Sequence, residues 1–327
     1  MAALLQVSSL CTYYIQKGMA LQAVQEVSFA IDRGETLAIV GESGCGKSTL
    51  ALSLFRLVPP PGHIVSGKIL FDSRDLLTLP EKEMGKVRGK GIGLILQDSL
   101  SSLNPVMRVG AQIAEARRHH FSESRKEARR KTLEIIEHVK LANAEKTYTL
   151  YPHQFSGGQR QRIAIALALA CQPQLLVADE PTTALDVSIQ AQILTLLKSL
   201  QQEMQLALLL ITHDLGVVAQ MADRVAVMYA GKIVEHGPIR DIFTRPAHPY
   251  TASLLNATPQ LKFDAPFEPA PLPEPLAGTV PDLQNLPSGC SFHPRCPVRL
   301  PECSQQEPTS LTLQNGHIVQ CCNHLAK

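Results

Sequence analysis

Nine consecutive residues, Gly41-Glu42-Ser43-Gly44-Cys45-Gly46-Lys47-Ser48-Thr49, space glycines, a lysine and a hydroxyl in the pattern G-x-x-x-x-G-K-[ST]. That pattern serves phosphate chemistry. The glycines let backbone N–H groups turn inward on a phosphate chain, Lys47 reaches the β- and γ-phosphates, and the Ser48 hydroxyl ligates Mg²⁺. A helix opening at Lys47 adds the positive end of its dipole. A second stretch, Leu175-Leu-Val-Ala-Asp179-Glu180, delivers two carboxylates at the end of an apolar run. Asp179 would hold Mg²⁺, and Glu180 would orient or deprotonate an attacking water. An Asp-Glu pair alone is an ordinary loop start; paired with a phosphate loop it predicts hydrolysis of a nucleoside triphosphate. Cys45 lies two residues from Lys47 and next to a helix N-terminus, surroundings that lower a thiol's pKa. This predicts that a thiol reagent blocks nucleotide binding and that MgATP protects. The bland alternative is a small residue chosen for fit.

These groups need a scaffold. The first residues alternate apolar and polar, with turns near Lys17-Gly18 and Arg33-Gly34, which predicts a β-rich start. A strand over Thr36–Val40 precedes the phosphate loop, and further buried strands are expected at Leu175–Ala178 and Ala207–Ile211. Strands separated by helical stretches predict an α/β fold with a largely parallel sheet and helices on both faces. Residues 103–141 carry many charges at helical spacing, and their basic part, Arg117–Lys131, reads as a solvated helix face.

The 327 residues suffice for one large domain and a smaller appendage, and 45% hydrophobic with 18% charged residues suits a folded chain. A net charge of +2 argues against a dedicated nucleic-acid binder. Met1–Leu10 lacks the pattern of a secretory leader. The longest run free of polar residues, Ile163–Cys171, falls well short of the roughly 18–20 needed to span a bilayer. Any membrane role is therefore expected to go through a partner. Eight cysteines stand at 11, 45, 171, 290, 296, 303, 321 and 322, five of them in the last 38 residues. Without a leader this crowding reads as a metal site rather than a disulfide framework. Four thiolates spaced C-x5-C-x6-C-x17-C could hold zinc or an iron–sulfur cluster, and the spacing decides for neither. Unliganded buried thiols are the third possibility.

Further motifs carry a family resemblance. Phe155-Ser156-Gly157-Gly158-Gln159 resembles the L-S-G-G-Q signature of ABC ATPases, with Phe in the first place, about twenty residues before Asp179. Gln97, after the strand-like run Gly93–Leu96, resembles the Q-loop glutamine. Thr183-Ala-Leu-Asp186 resembles the D-loop, and Thr212-His213-Asp214 the switch histidine. Tyr14 stands where the family places an adenine-stacking aromatic, with Tyr13 as the competing choice. The resemblance implies a P-loop NTPase cassette with a RecA-like core. It also implies two ATP molecules sandwiched in a head-to-tail pair, each held by one subunit's phosphate loop and the other's Ser156–Gln159 helix tip. His213 would then contact the γ-phosphate, and Gln97 would sense Mg²⁺ and a membrane partner.

Downstream, His248-Pro249-Tyr250-Thr251-Ala-Ser-Leu254-Leu255 resembles the H-P-Y-T-x-x-L-L element of oligopeptide and dipeptide importer ATPases. Ser102-Leu103-Asn104-Pro105 and Gly289–Pro297 fit the same group, while Leu96-Gln97-Asp98-Ser99 departs from its F-Q-D-P. The implied organisation is an ATPase domain over 1–258, with a helical subdomain at about 98–168, then a Pro-rich linker over 259–288 and a Cys-rich extension over 289–327. By resemblance Cys290, Cys296, Cys303 and Cys321 would hold a [4Fe–4S] cluster, with Cys322 as alternative fourth ligand. His293 and His324 could join a zinc version. Because so short a tail builds little core, a metal is expected to fix its shape. The implied partners are a second ABC ATPase (a heterodimer favoured), two transmembrane permease subunits and an extracytoplasmic peptide-binding protein, with the chain peripheral on the cytoplasmic face of the inner membrane. Importers of nickel complexes or oligosaccharides are the alternative within the class. A soluble ABC ATPase and an iron–sulfur redox protein fit less well, the first for want of a second ATPase domain or long coiled coil, the second because the ATPase motif set is complete.

Overall fold

The computed structural model describes residues 3–16, 18–98, 102–183, 185–257 and 278–325. The linker prolines 259, 266, 269, 271, 273 and 275 lie outside the described residues, as does Ser99.

Apolar runs make the spine. β3 (Thr36–Val40), β7 (Leu175–Asp179) and β8 (Ala207–Thr212) are buried along their whole length. This is the signature of parallel strands covered on both faces. They join β6 (Ile92–Ile95) and β9 (Arg224–Tyr229) in a parallel array ordered β9-β3-β8-β7-β6. Side-chain alternation divides the sheet into two cores. Leu37, Ile39, Leu175, Val177, Leu209 and Ile211 face one way. They pack with α1 (Lys47–Leu54) and an antiparallel sheet of β1 (Leu5–Gln16), β2 (Met19–Ile31), β4 (Gly62–Phe71) and β5 (Arg74–Asp75). Leu176, Ala178, Leu208 and Leu210 face the other way, toward the helices.

Those helices are α3 (Val109–His120), α4 (Arg125–His138), α5 (Ala144–Thr149), α6 (Gly157–Leu169), α7 (Val187–Met204) and α8 (Leu215–Met221), while α2 (Glu81–Lys90) precedes β6. The basic stretch is mostly the solvated face expected of it: Arg129 and Arg130 are half exposed and paired with glutamates. Arg117 is the correction. It is 2% exposed, its guanidinium bonded to Glu123 (2.5 and 3.0 Å) and to the Ala170 carbonyl. The charge is neutralised where the end of α3 meets the end of α6, which makes burial tolerable.

The C-terminal extension belongs to the central sheet. β10 (Lys232–Pro238) pairs antiparallel with β9 and, on its other side, with β12 (Ile318–Gln320), which pairs with β11 (Ser310–Thr312). Beyond β10 lie α9 (Ile239–Thr244) and α10 (Pro249–Asn256). Phe292 of the extension is buried against Tyr229, Tyr250 and His248. Glu235, fully buried, accepts from the Ala247 and His248 N–H groups and pairs with His317 Nε2 at 2.7 Å. Strand pairing, an aromatic cluster and a satisfied buried carboxylate therefore anchor the tail, contacts that its own residues do not display in the sequence.

Candidate nucleotide site

Register brings the chemistry together. Val40 pairs with Thr212, Asp179 with Ile211, and Ile95 with Ala178, so β3, β8, β7 and β6 end nearly level. Gly41, His213, Glu180 and Gln97 all follow at that carboxyl edge, where open α/β sheets bind ligands. Gly41, Glu42, Ser43, Gln97, Glu180, Thr183 and His213 line one open cleft there, with Leu254 of α10 at its side.

The phosphate loop turns at Gly46, φ 106°, where a Cβ would lie 1.9 Å from the Ala23 carbonyl oxygen. Only glycine fits so close a backbone approach in that conformation. Lys47 is buried and its Nζ donates to the Gly41 and Glu42 carbonyls at 2.8 and 3.0 Å. The ammonium thus ties the two ends of the loop together. Ser43, Gly44 and Ser48 are exposed, and Gly44 also has a positive φ. Thr49 lies 3.4 Å from the Tyr14 hydroxyl, which places Tyr14, on β1, beside the first turn of α1. The neighbouring Tyr13 faces Cys11 and Glu26 instead, and burial with those groups raises its pKa.

Asp179 and Glu180 sit in contrasting surroundings. Asp179 is buried, its pKa raised by that burial against the pull of a Ser48 hydrogen bond, and its Oδ1 has no partner. A hydroxyl and a carboxylate in contact, with one orphaned buried oxygen, fit a hard divalent cation that takes oxygen ligands. Glu180 adopts φ 46° and gathers three side chains: Gln97 Nε2 at 2.8 Å and Thr183 Oγ1 at 2.9 Å on Oε2, and His213 Nδ1 at 3.1 Å on Oε1. Burial pushes its carboxyl up, but the His213 and Thr183 hydrogen bonds and the charges of His213 and Lys47 prevail, holding it below the usual range. Glu180 is therefore ionised and aimed. The sequence assigns Thr183 no role of its own; the signal that could find it is its three-residue spacing from Glu180 across a tight turn.

Cys45 corrects the sequence reading. It is fully buried and its thiol is pushed up by that burial, with the Lys47 charge only a partial offset. The loop wraps the sulfur inward, so desolvation outweighs the nearby positive ends. The small residue chosen for fit is the reading the structure supports.

Ser156 caps α6, accepting from the Gln159 N–H while the Gln159 side chain accepts from the Ser156 N–H. Ser156 and Gln159 are exposed, and Gly157 and Gly158 lie against Leu185 and Ile189 at the start of α7. Asp186 caps α7 through the Ile189 N–H. The signature tip and Asp186 thus form one unit, set on α7 rather than on the phosphate loop.

In the tail, Cys303 is buried and Cys290 and Cys296 pack against the apolar cluster that contains Tyr229, Tyr250 and Phe292. Burial raises Cys290, Cys296 and Cys322 and pushes Cys321 up to about 12, and the neighbouring thiols raise each of them further. The donor chemistry suits a thiolate-held group. Among the described residues, though, no three side chains stand as a ready metal-ligand set. His293 Nδ1 is bonded to the Cys290 carbonyl, and His324 Nδ1 is buried without a partner.

Comparison with known proteins bears on the fold and the family. A family profile described as ABC transporter matches residues 24–183, and one described as the C-terminal region of oligopeptide/dipeptide transporters matches 234–303. The dipeptide transport ATP-binding protein DppD of Bacillus subtilis is 48% identical over 322 residues, 98% of this chain and 95% of that one. The oligopeptide transport ATP-binding protein OppD of Escherichia coli is 47% identical over 306 residues, 94% and 89% of the two chains. A solved dimeric bacterial ABC transporter cassette superposes with a TM-score of 0.65 at 28% identity, covering 72% of this chain and 99% of that one.

Proposed function

We propose, from the premise that this chain belongs to the ATP-binding subunits of oligopeptide and dipeptide ABC transporters, that its cleft hydrolyses ATP by the following division of labour. The chain is the ATPase that couples hydrolysis to peptide import. Gly41–Ser48 cradle the triphosphate, with Lys47, whose Nζ stands among the Gly41 and Glu42 carbonyls, reaching the β- and γ-phosphates. Ser48, Asp179 and Gln97 would hold Mg²⁺, which when bound neutralises developing phosphate charge. Glu180 orients and deprotonates water, and His213 and Gln97 keep its two oxygens pointed. Tyr14, beside Thr49, receives the adenine.

The single observation behind this reading is the convergence of Gln97, Thr183 and His213 on the Glu180 carboxylate, beside Lys47 and Ser48. Glu180→Gln should retain ATP binding and lose turnover by roughly 10²–10⁴-fold. Near-normal hydrolysis in that variant would overturn the assignment.

The remaining half of each site comes from a second subunit. Ser156, Gln159, Asp186 and Val187, which is 83% exposed, form an open face capped by a helix N-terminus suited to an anion. A head-to-tail pair would lay this face on the partner's γ-phosphate. In the importer the pair would be two different ATPases, docked from the cytoplasmic side on two permease subunits served by an extracytoplasmic peptide-binding protein. Among the described residues no helix is long and apolar enough to cross a membrane. In the tail, Cys290, Cys296, Cys303 and Cys321 (or Cys322) would hold a [4Fe–4S] cluster, the support being a set of partly buried thiols that raise one another's pKa. Stoichiometric zinc without iron in anaerobically purified protein would end that reading.

A further inference from the structure

The extension reaches into the phosphate loop through one side chain. Arg295 lies between Cys290 and Cys296, 253 residues from Glu42, yet it grips the Glu42 carboxylate with both prongs: Nη1 to Oε2 at 2.7 Å and Nη2 to Oε1 at 3.0 Å. The Arg295 side chain is 5% exposed and that of Glu42 28%. Nη1 also reaches the Tyr229 hydroxyl at 3.4 Å, and the guanidinium lies over that ring. Other groups hold the rest of Glu42. Its N–H donates to the buried Tyr250 hydroxyl at 3.0 Å, and its carbonyl accepts from Lys47. The second residue of the loop is thus fixed by the tail, by α10 and by the loop's own lysine.

We infer that Arg295 is a positioning residue for the nucleotide: it fixes Glu42, cancels that residue's charge where a triphosphate must enter, and so makes ATP affinity depend on the folded tail. This rests on the reading that Gly41–Ser48 cradle the phosphates. Two-pronged Arg–carboxylate pairs are strong and directional, and a lysine does not reproduce them. Without Arg295, a half-buried carboxylate would stand unpaired on the loop and repel the incoming phosphates.

The test uses the full chain, titrated with a fluorescent ATP analogue, and the assembled transporter for kinetics. Arg295→Gln should weaken nucleotide binding and raise KM about tenfold, with kcat changed less than about threefold. Arg295→Lys should fall between. The double variant Glu42→Gln/Arg295→Gln should recover much of the affinity, because the repelling charge is gone, an outcome that loosening of the tail would not produce. Glu307→Gln, which breaks a different tail-to-core ion pair, Glu307 with Lys232, should leave affinity unchanged. Unchanged binding in Arg295→Gln, or equal impairment of the single and double variants, overturns the inference alone. A wild-type chain that binds no nucleotide sinks both it and the cradle reading.

Discussion

His213 and Glu180 show how much chemistry rests on single side chains. The histidine is 58% exposed and touches one carboxylate oxygen at 3.1 Å. It is one of the groups that hold the Glu180 carboxyl low. Removing it has two consequences. His213→Ala should lower turnover roughly a hundredfold, since a transition-state contact and an orienting bond go together. The acid limb of the remaining kcat–pH profile should also move to higher pH, because the Glu180 pKa rises toward its ordinary value and more proton is bound at a given pH. A reduced rate with an unmoved limb would mean that His213 acts on phosphate only. For Cys45, the buried and raised thiol leads to the opposite of an activated nucleophile. Alkylation followed on the Cys45 peptide by mass spectrometry should be slow in the native chain, and equally slow with and without MgATP. Fast labelling blocked by MgATP would restore the discarded idea. At this scale the motif residues were legible because phosphate and carboxylate chemistry imposes local spacing. Cys45 was not, because its burial depends on the core it joins, where Met228 of β9 and residues of other distant elements stand.

Elements were legible where one segment carries its own signal. β3, β7 and β8 are uninterrupted apolar runs, and burial on both faces leaves such runs little choice but a central sheet. β11 is exposed throughout and only three residues long, and β12 is no longer. They exist because β10 offers an edge to pair with, a property of the partner strand that the tail's own residues do not display. Arg117 misled for the same reason: its buried partners, Glu123 and Ala170, come from outside its own helix. The meeting of α6 and α7 yields a test at the element scale. A Cβ on Gly158 would lie 2.6 Å from Ile189 Cγ2, a branched position with little room to yield. Gly158→Ala should push the signature tip off α7 while leaving the phosphate loop alone. Nucleotide affinity of the single chain should therefore stay within about twofold, while hydrolysis by the assembled pair falls at least tenfold. Equal loss of both would show that the tip and the loop are not separate halves.

The whole molecule is stitched at the seam between its cassette and its tail, and that seam contains histidines the fold keeps neutral. His248 caps α10 and meets Phe292, and burial brings its pKa down to about 4. His236 pairs with Ile318 across β10 and β12. Burial first, then the charges of Arg224 and His317, bring it also to about 4, against a smaller opposite pull from Glu235. The sign follows from which state binds the proton. An unfolded chain protonates both rings near pH 6.5, whereas the folded chain resists until about pH 4. Between those values the unfolded state holds more protons, so stability rises with pH. The contribution of both histidines is complete above about 6.5 and is lost as pH falls toward 4, at up to about one proton per ring. Denaturant midpoints of the full chain at pH 7.5, 6 and 5 should decline accordingly. His236→Gln should flatten the decline by about one proton, because glutamine keeps a polar side chain and removes the titration. Because β12 is hydrogen-bonded into the sheet that carries the nucleotide edge, cassette and tail should unfold in one transition at each pH. Identical slopes in the wild type and His236→Gln would show that His236 does not carry the proton uptake, and a tail that melts separately ahead of the cassette would show that the seam does not bind the two into one cooperative unit.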